Sequence, residues 1–146
     1  MNQPVYEIQF SDFDQIYTFI SEGKQGRIIK MVRFQEIDEL QYNLGFGDFI
    51  QTTIQVDDEV VSDNGDMVKV LATVIKILDI FLNENPNVSV FITGSSPSRI
   101  RLYQIAIASN FLLLSKTYKI SGFREDNWED FQKNITYEAF LVQKIF

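Results

Sequence analysis

The clearest pattern along the chain is a run of apolar residues at spacings of three and four over positions 67–82. This period places the apolar side chains on one face of a helix, so the pattern predicts a helix over 67–82. Asp66, or Asn64 just before it, is well placed to cap the first turn. Pro86 prevents the helix from continuing, because proline lacks a backbone N–H and its ring clashes with the preceding turn.

A second helix is predicted over 97–110, with Ser96 as its N-cap and Pro97 at its first helical position. Its apolar face is formed by Ile100, Tyr103 and Ile107. Between the two helices, residues 88–93 are apolar apart from Ser89. Such a run predicts a strand that is buried on both faces of its sheet.

Short apolar or alternating segments elsewhere predict strands joined by polar turns. In the first third they cover 5–10, 15–20, 28–37 and 40–46, and a further strand over 51–56 continues over 59–62 after a break. Two closing strands are predicted over 118–123 and 136–143. The polar segment 124–134 between them is predicted to be a loop carrying Trp128, which serves either as a binding anchor or as a cover on the core.

The order of strands, helix, strand, helix and strands predicts a single α+β domain over residues 1–146. Its N-terminal strands form an antiparallel meander that continues into a mixed, twisted sheet with two main helices. A hydrophobic content of 45% in 146 residues is enough apolar material for one core. The 13 phenylalanines predict that this core is rich in aromatic side chains.

Composition excludes several chemistries. The chain has no histidine and no cysteine, which excludes thiol nucleophiles, disulfides, Cys/His zinc sites and triads with an imidazole base. Asp48 and Asp66 are the plausible general bases that remain, and no complete catalytic motif accompanies them. The sequence therefore favours a protein that is not an enzyme, with no catalytic residue and no cofactor to assign.

The net charge of −7 limits the class of partner. Proteins that bind nucleic acids or anionic membranes usually present a basic face, and no such cluster of lysines and arginines occurs here. An acidic protein suits a basic protein partner or a second copy of itself. The N-terminus lacks the features of a signal peptide, and no apolar stretch is long enough to span a membrane, so we expect a cytoplasmic protein.

The segment 90–107 resembles the strand–loop–helix turns that bind anions. The strand is followed by Gly94 and a serine-rich turn, and the helix N-terminus favours anions through its free N–H groups. The candidate ligand-binding residues are Ser95, Ser96, Ser98, Arg99, Arg101 and Tyr103, with Asp48, Asn64 and Asp66 from the other helix entry and strand. The alternative is an ordinary capped helix whose arginines are solvated or paired with Asp63 or Asp66.

The acidic segment 57–66 is the other candidate for chemistry. An EF-hand loop needs oxygen ligands at positions 1, 3 and 5 before its glycine at position 6. Counting back from Gly65 places Val60 first, so the pattern fails and no metal site is predicted. Asn64 and Gly65 are instead typical of a turn that leads into a capped helix.

Four motifs together resemble a known family: YNLGFGD, SDNGDMVKVLATV, TGSSPSRIRLYQ and the late YEAFLVQK. They are similar, in this order and over most of the chain, to a family of small bacterial proteins whose function is unknown. The resemblance implies that these loops belong to one compact domain, and it implies no activity.

A second resemblance is to the GCN5-related N-acetyltransferases, whose skeleton also has a meander, a helix, a strand, a helix and two final strands. Their acetyl-CoA motif, R/Q-x-x-G-x-G/A, falls on residues 62–67, which read SDNGDM. The basic or amide first residue and the second small residue are missing, and two acids stand where a pyrophosphate needs donors.

Two functional hypotheses follow from the sequence. The first is a non-catalytic protein-interaction or regulatory module that binds a basic protein or forms an oligomer. The second is a protein that binds a small molecule, of acyltransferase-like shape, at the loop edge around Gly94–Arg101.

Overall fold

The computed structural model describes residues 4–11, 15–50, 55–57, 64–94 and 96–145. Within these ranges the protein has the predicted α+β fold, with a nine-stranded mixed sheet and three helices. The strands are β1 (Gln9–Ser11), β2 (Ile16–Gly23), β3 (Gly26–Asp38), β4 (Gln41–Ile50), β5 (Gln55–Asp57), β6 (Ser89–Thr93), β7 (Tyr118–Arg124), β8 (Asn127–Asp130) and β9 (Ala139–Lys144). The helices are α1 (Met67–Glu84), α2 (Pro97–Ser109) and α3 (Phe111–Leu114).

The sheet has the order β1-β2-β3-β4-β6-β9-β7-β8, and β5 pairs with β4 beside this path. Strands β1 to β4 form the predicted antiparallel meander. The chain then crosses through α1, and β6 pairs with β4 in parallel. The closing strands pair antiparallel with β6 and with one another. One parallel pair in an otherwise antiparallel sheet makes the sheet mixed, as the sequence predicted.

The core lies between α1, α2 and one face of this sheet. Alternate strand residues are buried there: Val32, Phe34, Leu44, Phe46, Val90, Ile92, Phe140 and Val142. Ten of the eighteen residues of α1 are buried, which agrees with its apolar spacing of three and four. The predicted aromatic content of the core is confirmed by Phe81 of α1, whose ring stacks on that of Phe34 with centroids 3.9 Å apart.

Three elements differ from the sequence predictions. The first strand is limited to Gln9–Ser11, whereas the pattern predicted 5–10. The segment predicted as a polar loop forms the hairpin of β7 and β8, because Glu125 and Asp126 adopt positive φ angles of 51° and 63° and turn the chain in two residues. The short helix α3 follows α2 and was not predicted. The predicted strand residues 51–54 and 59–62 lie outside the described residues.

The strand β6 is buried on one face only, so the prediction of burial on both faces is wrong. Val90 and Ile92 point into the core, while Phe91 is half-buried and Thr93 is exposed. The reason is that α1 and α2 pack on the same side of the sheet. Within the described ranges, no helix is long and apolar enough to cross a membrane.

Candidate functional site

A groove of about 820 Å³ lies beside α2, at the end of the sheet where β6 ends. One wall comes from the turn before α2 and from the exposed side of that helix, including Gly94, Ile100 and Arg101. The other wall comes from the segment that joins β8 to β9, including Lys133 and Tyr137. The groove therefore borders the segment that the sequence singled out as an anion-binding turn.

The turn before α2 is fixed by its cap and by a glycine. The Ser96 hydroxyl accepts a hydrogen bond from the Arg99 backbone N–H at 3.3 Å, and Pro97 occupies the first turn of the helix. A Cβ at Gly94 would lie 2.8 Å from Cγ of Arg99 and 3.0 Å from the Ile100 nitrogen. Only glycine lets the strand end approach the helix this closely. The predicted cap of α2 is thereby confirmed.

Gln104 joins the two walls. Its amide nitrogen donates to the Ile135 carbonyl at 2.5 Å, and its amide oxygen accepts from the Tyr137 backbone N–H at 3.1 Å. Both bonds reach across the groove from α2 to the opposite segment. The separation of the walls is therefore set by hydrogen bonds within the protein, and the groove is preformed.

Tyr137 is held in place beneath the second wall. It is 1% exposed, its hydroxyl donates to the Glu129 carboxylate at 2.9 Å and accepts from the Gln132 backbone N–H at 3.0 Å. Gly122 of β7 makes room for its ring, since a Cβ there would lie 2.4 Å from Cδ1 of Tyr137. Burial and the Glu129 hydrogen bond both raise the pKa of the Tyr137 hydroxyl, so this group stays neutral at physiological pH.

The charges of the groove differ from those of the protein as a whole. Arg101 and Lys133 line it from opposite walls, both are exposed, and neither forms an ion pair with any described residue. Glu138 is the carboxylate in the lining. The remaining surface includes the apolar side chains of Ile100, Ile105 and Ala108. The groove thus combines apolar lining on α2 with a local excess of positive charge in a chain of net charge −7.

The two arginines predicted to act together point in different directions. Arg101 lines the groove, whereas Arg99 is 3% exposed and its guanidinium lies 5.8 Å from the centroid of the Phe46 ring. Tyr103 is also buried, at 4% exposure. Ser98 is exposed on the first turn of α2, and Ser95 lies outside the described residues. Of the predicted residues in this segment, Ser96 and Arg101 contribute to the groove wall.

Asn64 and Asp66 attach the start of α1 to the β2–β3 hairpin. The buried Asn64 side chain donates to Ser21 Oγ at 3.2 Å and to the Gly26 carbonyl at 2.8 Å, and it accepts from the Gln25 N–H at 2.5 Å. Asp66 stands at the N-cap position of α1, but its side chain makes no capping hydrogen bond. These two candidate ligand residues therefore hold the fold together away from the groove.

The Asp66 carboxylate accepts hydrogen bonds from the Ser21 hydroxyl at 2.6 Å and from the Tyr6 hydroxyl. No ion pair joins Asp66 to Arg101 between described residues, and the pairing of Arg99 with an acidic residue stays a prediction. Asp63, the other predicted partner, lies outside the described residues. Burial by itself raises the pKa of Asp66, but the Ser21 and Tyr6 hydrogen bonds and the charge of Lys30 outweigh it, so the net pKa lies below 3.8.

This shift predicts a contribution of Asp66 to acid stability. A carboxyl with a lower pKa in the folded state stabilises the fold above its unfolded pKa, and the contribution is lost as the pH falls through the folded pKa. We expect the wild-type protein to lose stability below about pH 4, and Asp66→Asn to lose less over the same interval. Urea unfolding at a series of pH values measures the difference. Glu36→Gln, at an exposed carboxyl, is the control, and equal pH slopes in both variants and the wild type would contradict the prediction.

Asp48 was the other candidate base, and its carboxylate lies 2.6 Å from Nζ of the buried Lys30. It belongs to the core side of β4, away from the groove. No group of three or more metal-ligating side chains occurs in the part of the chain that the structure describes.

Sequence reasoning missed the second wall of the groove, including Lys133, Tyr137 and Glu138. Lys133 lies in the predicted loop, and Tyr137 and Glu138 open the motif YEAFLVQK. The hydrogen bonds of Gln104 attach their segment to α2. The sequence predicted a loop over 124–134 and a strand over 136–143, whereas β9 begins at Ala139. Neither prediction indicated which helix this segment would approach.

Comparison with known proteins identifies one family. The model of a family of unknown function, DUF6934, matches residues 2–145. No curated protein and no solved structure matches the chain. The predicted resemblance to a family of unknown function is confirmed, whereas the resemblance to N-acetyltransferases stays a prediction.

Proposed function

Since the chain belongs to the DUF6934 family, whose function is unknown, we propose from its geometry that the protein is a non-catalytic binding module. Its groove beside α2 accepts a ligand that carries an acidic group on an apolar body. The observation that carries this proposal is the pair of cationic side chains, Arg101 and Lys133, on opposite walls of an otherwise partly apolar groove.

The size and lining of the groove support the proposal. Binding sites for small molecules are concave, with volumes of about 300–1,000 Å³, and a few polar groups fix the ligand on a mainly apolar surface. Ile100, Ile105 and Ala108 supply the apolar surface, and Arg101 offers the planar, bidentate geometry that suits a carboxylate or a phosphate. An acidic group between Arg101 and Lys133 gains attraction from both walls.

The fixed walls support binding without a large rearrangement. The hydrogen bonds of Gln104 hold α2 against the segment that carries Tyr137, so the ligand does not have to order this part of the site. A preformed site avoids the entropy cost of ordering loops and side chains when the ligand binds.

The proposal of a non-catalytic role is supported by chemistry as well as geometry. The chain has no histidine and no cysteine. The carboxylates considered as bases are engaged elsewhere, Asp48 with Lys30 and Asp66 with Ser21. In the groove, Glu138 is the carboxylate and Tyr137 is a buried, neutral phenol. These groups favour holding a ligand over transforming it.

The test is a thermal-shift screen followed by calorimetric titration. Octanoate, acetyl-CoA, nucleotides and phosphorylated metabolites are the probes, and at least one of them is expected to raise the melting temperature. Removing one charged hydrogen-bonding partner costs about 1.5–3 kcal/mol, so Arg101→Gln and Lys133→Gln are each expected to weaken binding roughly tenfold or more. Lys116→Gln, at an exposed turn away from the groove, is the matched control. Absence of a shift with every anion, or equal losses in the control, contradicts the proposal.

A second candidate function is interaction with another protein. The net charge of −7 favours a basic protein as the partner, and self-association is the alternative that the sequence left open. We propose a cytoplasmic location for either role.

A further inference from the structure

The second surface of interest is the face of the sheet opposite α1 and α2, formed by β6, β9, β7 and β8. Strand register places its side chains in rows, because residues paired across neighbouring strands lie on the same face. One row runs through Thr93, Ala139, Phe123 and Trp128. The adjacent row runs through Phe91, Leu141, Ser121 and Asp130. We call this surface the aromatic face.

Trp128 is the centre of the aromatic face. Its ring centroid lies 5.2 Å from that of Phe123 and 6.0 Å from that of Phe91. The side chain nevertheless remains 43% exposed, and no described helix packs over it. The sequence left open whether Trp128 covers the core or anchors a partner. Its place opposite the helices removes the first alternative.

An exposed tryptophan on two half-buried aromatic rings has the chemistry of an interface anchor. Tryptophan is enriched among the residues that dominate binding energy, and its large rigid ring loses little conformational freedom on contact. Its flat face also attracts the cations of lysine and arginine side chains. The aliphatic stem of such a side chain packs on neighbouring apolar surface at the same time.

Acidic residues surround the exposed edge of Trp128. Glu125 and Asp126 form the turn of the β7–β8 hairpin, and Asp130 stands two residues after Trp128 on the same face. All three are exposed, and none of them forms an ion pair with another described residue. Arg124, the cation of β7 nearest the hairpin turn, is paired with Glu129 at 3.0 Å. Lys119 is an exposed cation on the same face, but it lies four residues before Phe123 along β7. The rim of the aromatic face is therefore negative at its hairpin end, next to Trp128.

We propose that the aromatic face docks a basic segment of another protein, with a lysine or arginine side chain on the ring of Trp128 and further cations against Glu125, Asp126 and Asp130. A second copy of this chain fits less well, because a two-fold interface centred on Trp128 brings these carboxylates toward their own counterparts. The proposal does not depend on the groove, since the groove and the aromatic face lie on opposite sides of the sheet.

The chain contains a single tryptophan, so tryptophan emission, excited selectively over that of the six tyrosines, reports on this face alone. The probe is a blocked nonapeptide of alternating lysine and valine, and the same peptide with glutamate in place of lysine is its counterpart. The lysine peptide is expected to change the Trp128 emission saturably, with an affinity that falls as salt is added. The glutamate peptide is expected to leave the emission unchanged.

Variants separate this surface from the rest of the molecule. The double variant Asp126→Asn/Asp130→Asn is expected to weaken the lysine peptide about tenfold by the loss of two rim charges, and asparagine tolerates the positive φ of position 126. Arg101→Gln, in the groove, is expected to bind the peptide as the wild type does. A loss of binding in Trp128→Ala, measured by calorimetry on a variant with an unchanged circular dichroism spectrum, supports the anchor role.

Three outcomes overturn the proposal. They are equal binding of the two peptides, no change in Trp128 emission at millimolar peptide, and dimerisation in sedimentation equilibrium that Trp128→Ala abolishes. The last outcome assigns the aromatic face to a second copy of the chain. Because the groove is tested with small anions and with Arg101→Gln, failure of one proposal leaves the other intact.

Discussion

Asp48→Ala is expected to destabilise the fold by about 3–5 kcal/mol, the usual cost of removing one partner from a buried ion pair. Nζ of Lys30 lies 2.6 Å from the Asp48 carboxylate, and the Lys30 side chain is 1% exposed. The ammonium group points into the side of the sheet that α1 and α2 cover. Removing the carboxylate leaves a buried positive charge that has lost a close negative partner, and the desolvation of this charge is then less well compensated.

Two further variants distinguish this ion pair from surface pairs. Lys30→Met/Asp48→Leu is expected to recover most of the lost stability, because an apolar pair of similar volume avoids desolvating any charge. Glu22→Ala breaks the pair between Arg27 and Glu22, whose side chains are 69% and 62% exposed, and is expected to change stability little. Urea denaturation measures all three. The prediction is wrong if Asp48→Ala costs no more than Glu22→Ala, or if the double variant is as unstable as the single one.

Much of the fold follows from local patterns that the tertiary structure reinforces. The apolar spacing predicted a helix over 67–82, and α1 continues two residues further, to Glu84. Ser96 and Pro97 predicted the start of α2. The meander followed from alternating segments and short polar turns. These predictions succeed because an amphipathic period reports directly which side of an element faces the core.

The hairpin of β7 and β8 was not predicted because its two turn residues are not the types that usually indicate such a turn. Two-residue turns with positive φ usually read Asn-Gly or Asp-Gly. Here the two positions are Glu125 and Asp126, and the surrounding charges made the segment look like a solvated loop. The aromatic face was not predicted for the same reason, because Trp128 was assigned to a loop and not to a strand paired with Phe123.

The candidate site was predicted in part, and helix geometry explains why one of the two predicted arginines lines the groove and the other does not. Residues two apart on a helix point about 200° away from one another, so Arg99 and Arg101 cannot face one ligand together. Arg101 and Ser96 were therefore recovered, while Arg99 is turned toward Phe46. The cation that completes the groove is Lys133, which a reading of local pattern had no means to bring next to α2.

The stack of Phe34 and Phe81 carries the second large prediction. Phe81 is 1% exposed and Phe34 is 2% exposed, with ring centroids 3.9 Å apart and planes 2° from parallel. This contact attaches the C-terminal half of α1 to β3, in the meander. Phe81 also contacts β4, the strand that pairs in parallel with β6, because the Tyr42 ring packs edge-on against it with centroids 5.2 Å apart.

Phe81→Ala is expected to cost about 3–5 kcal/mol, from the lost burial of the ring and from the cavity left among residues that cannot collapse into it. Phe10→Ala, at a ring that is 46% exposed, is the matched control and is expected to cost clearly less. A double-mutant cycle with Phe34→Ala is expected to show a coupling of about 0.5–1.5 kcal/mol, since the stacked pair is lost once, by either change. Chemical denaturation of the four proteins of the cycle gives these values. Strict additivity would show that the rings contribute burial alone, and equal losses at positions 81 and 10 would place the centre of the core elsewhere than under α1.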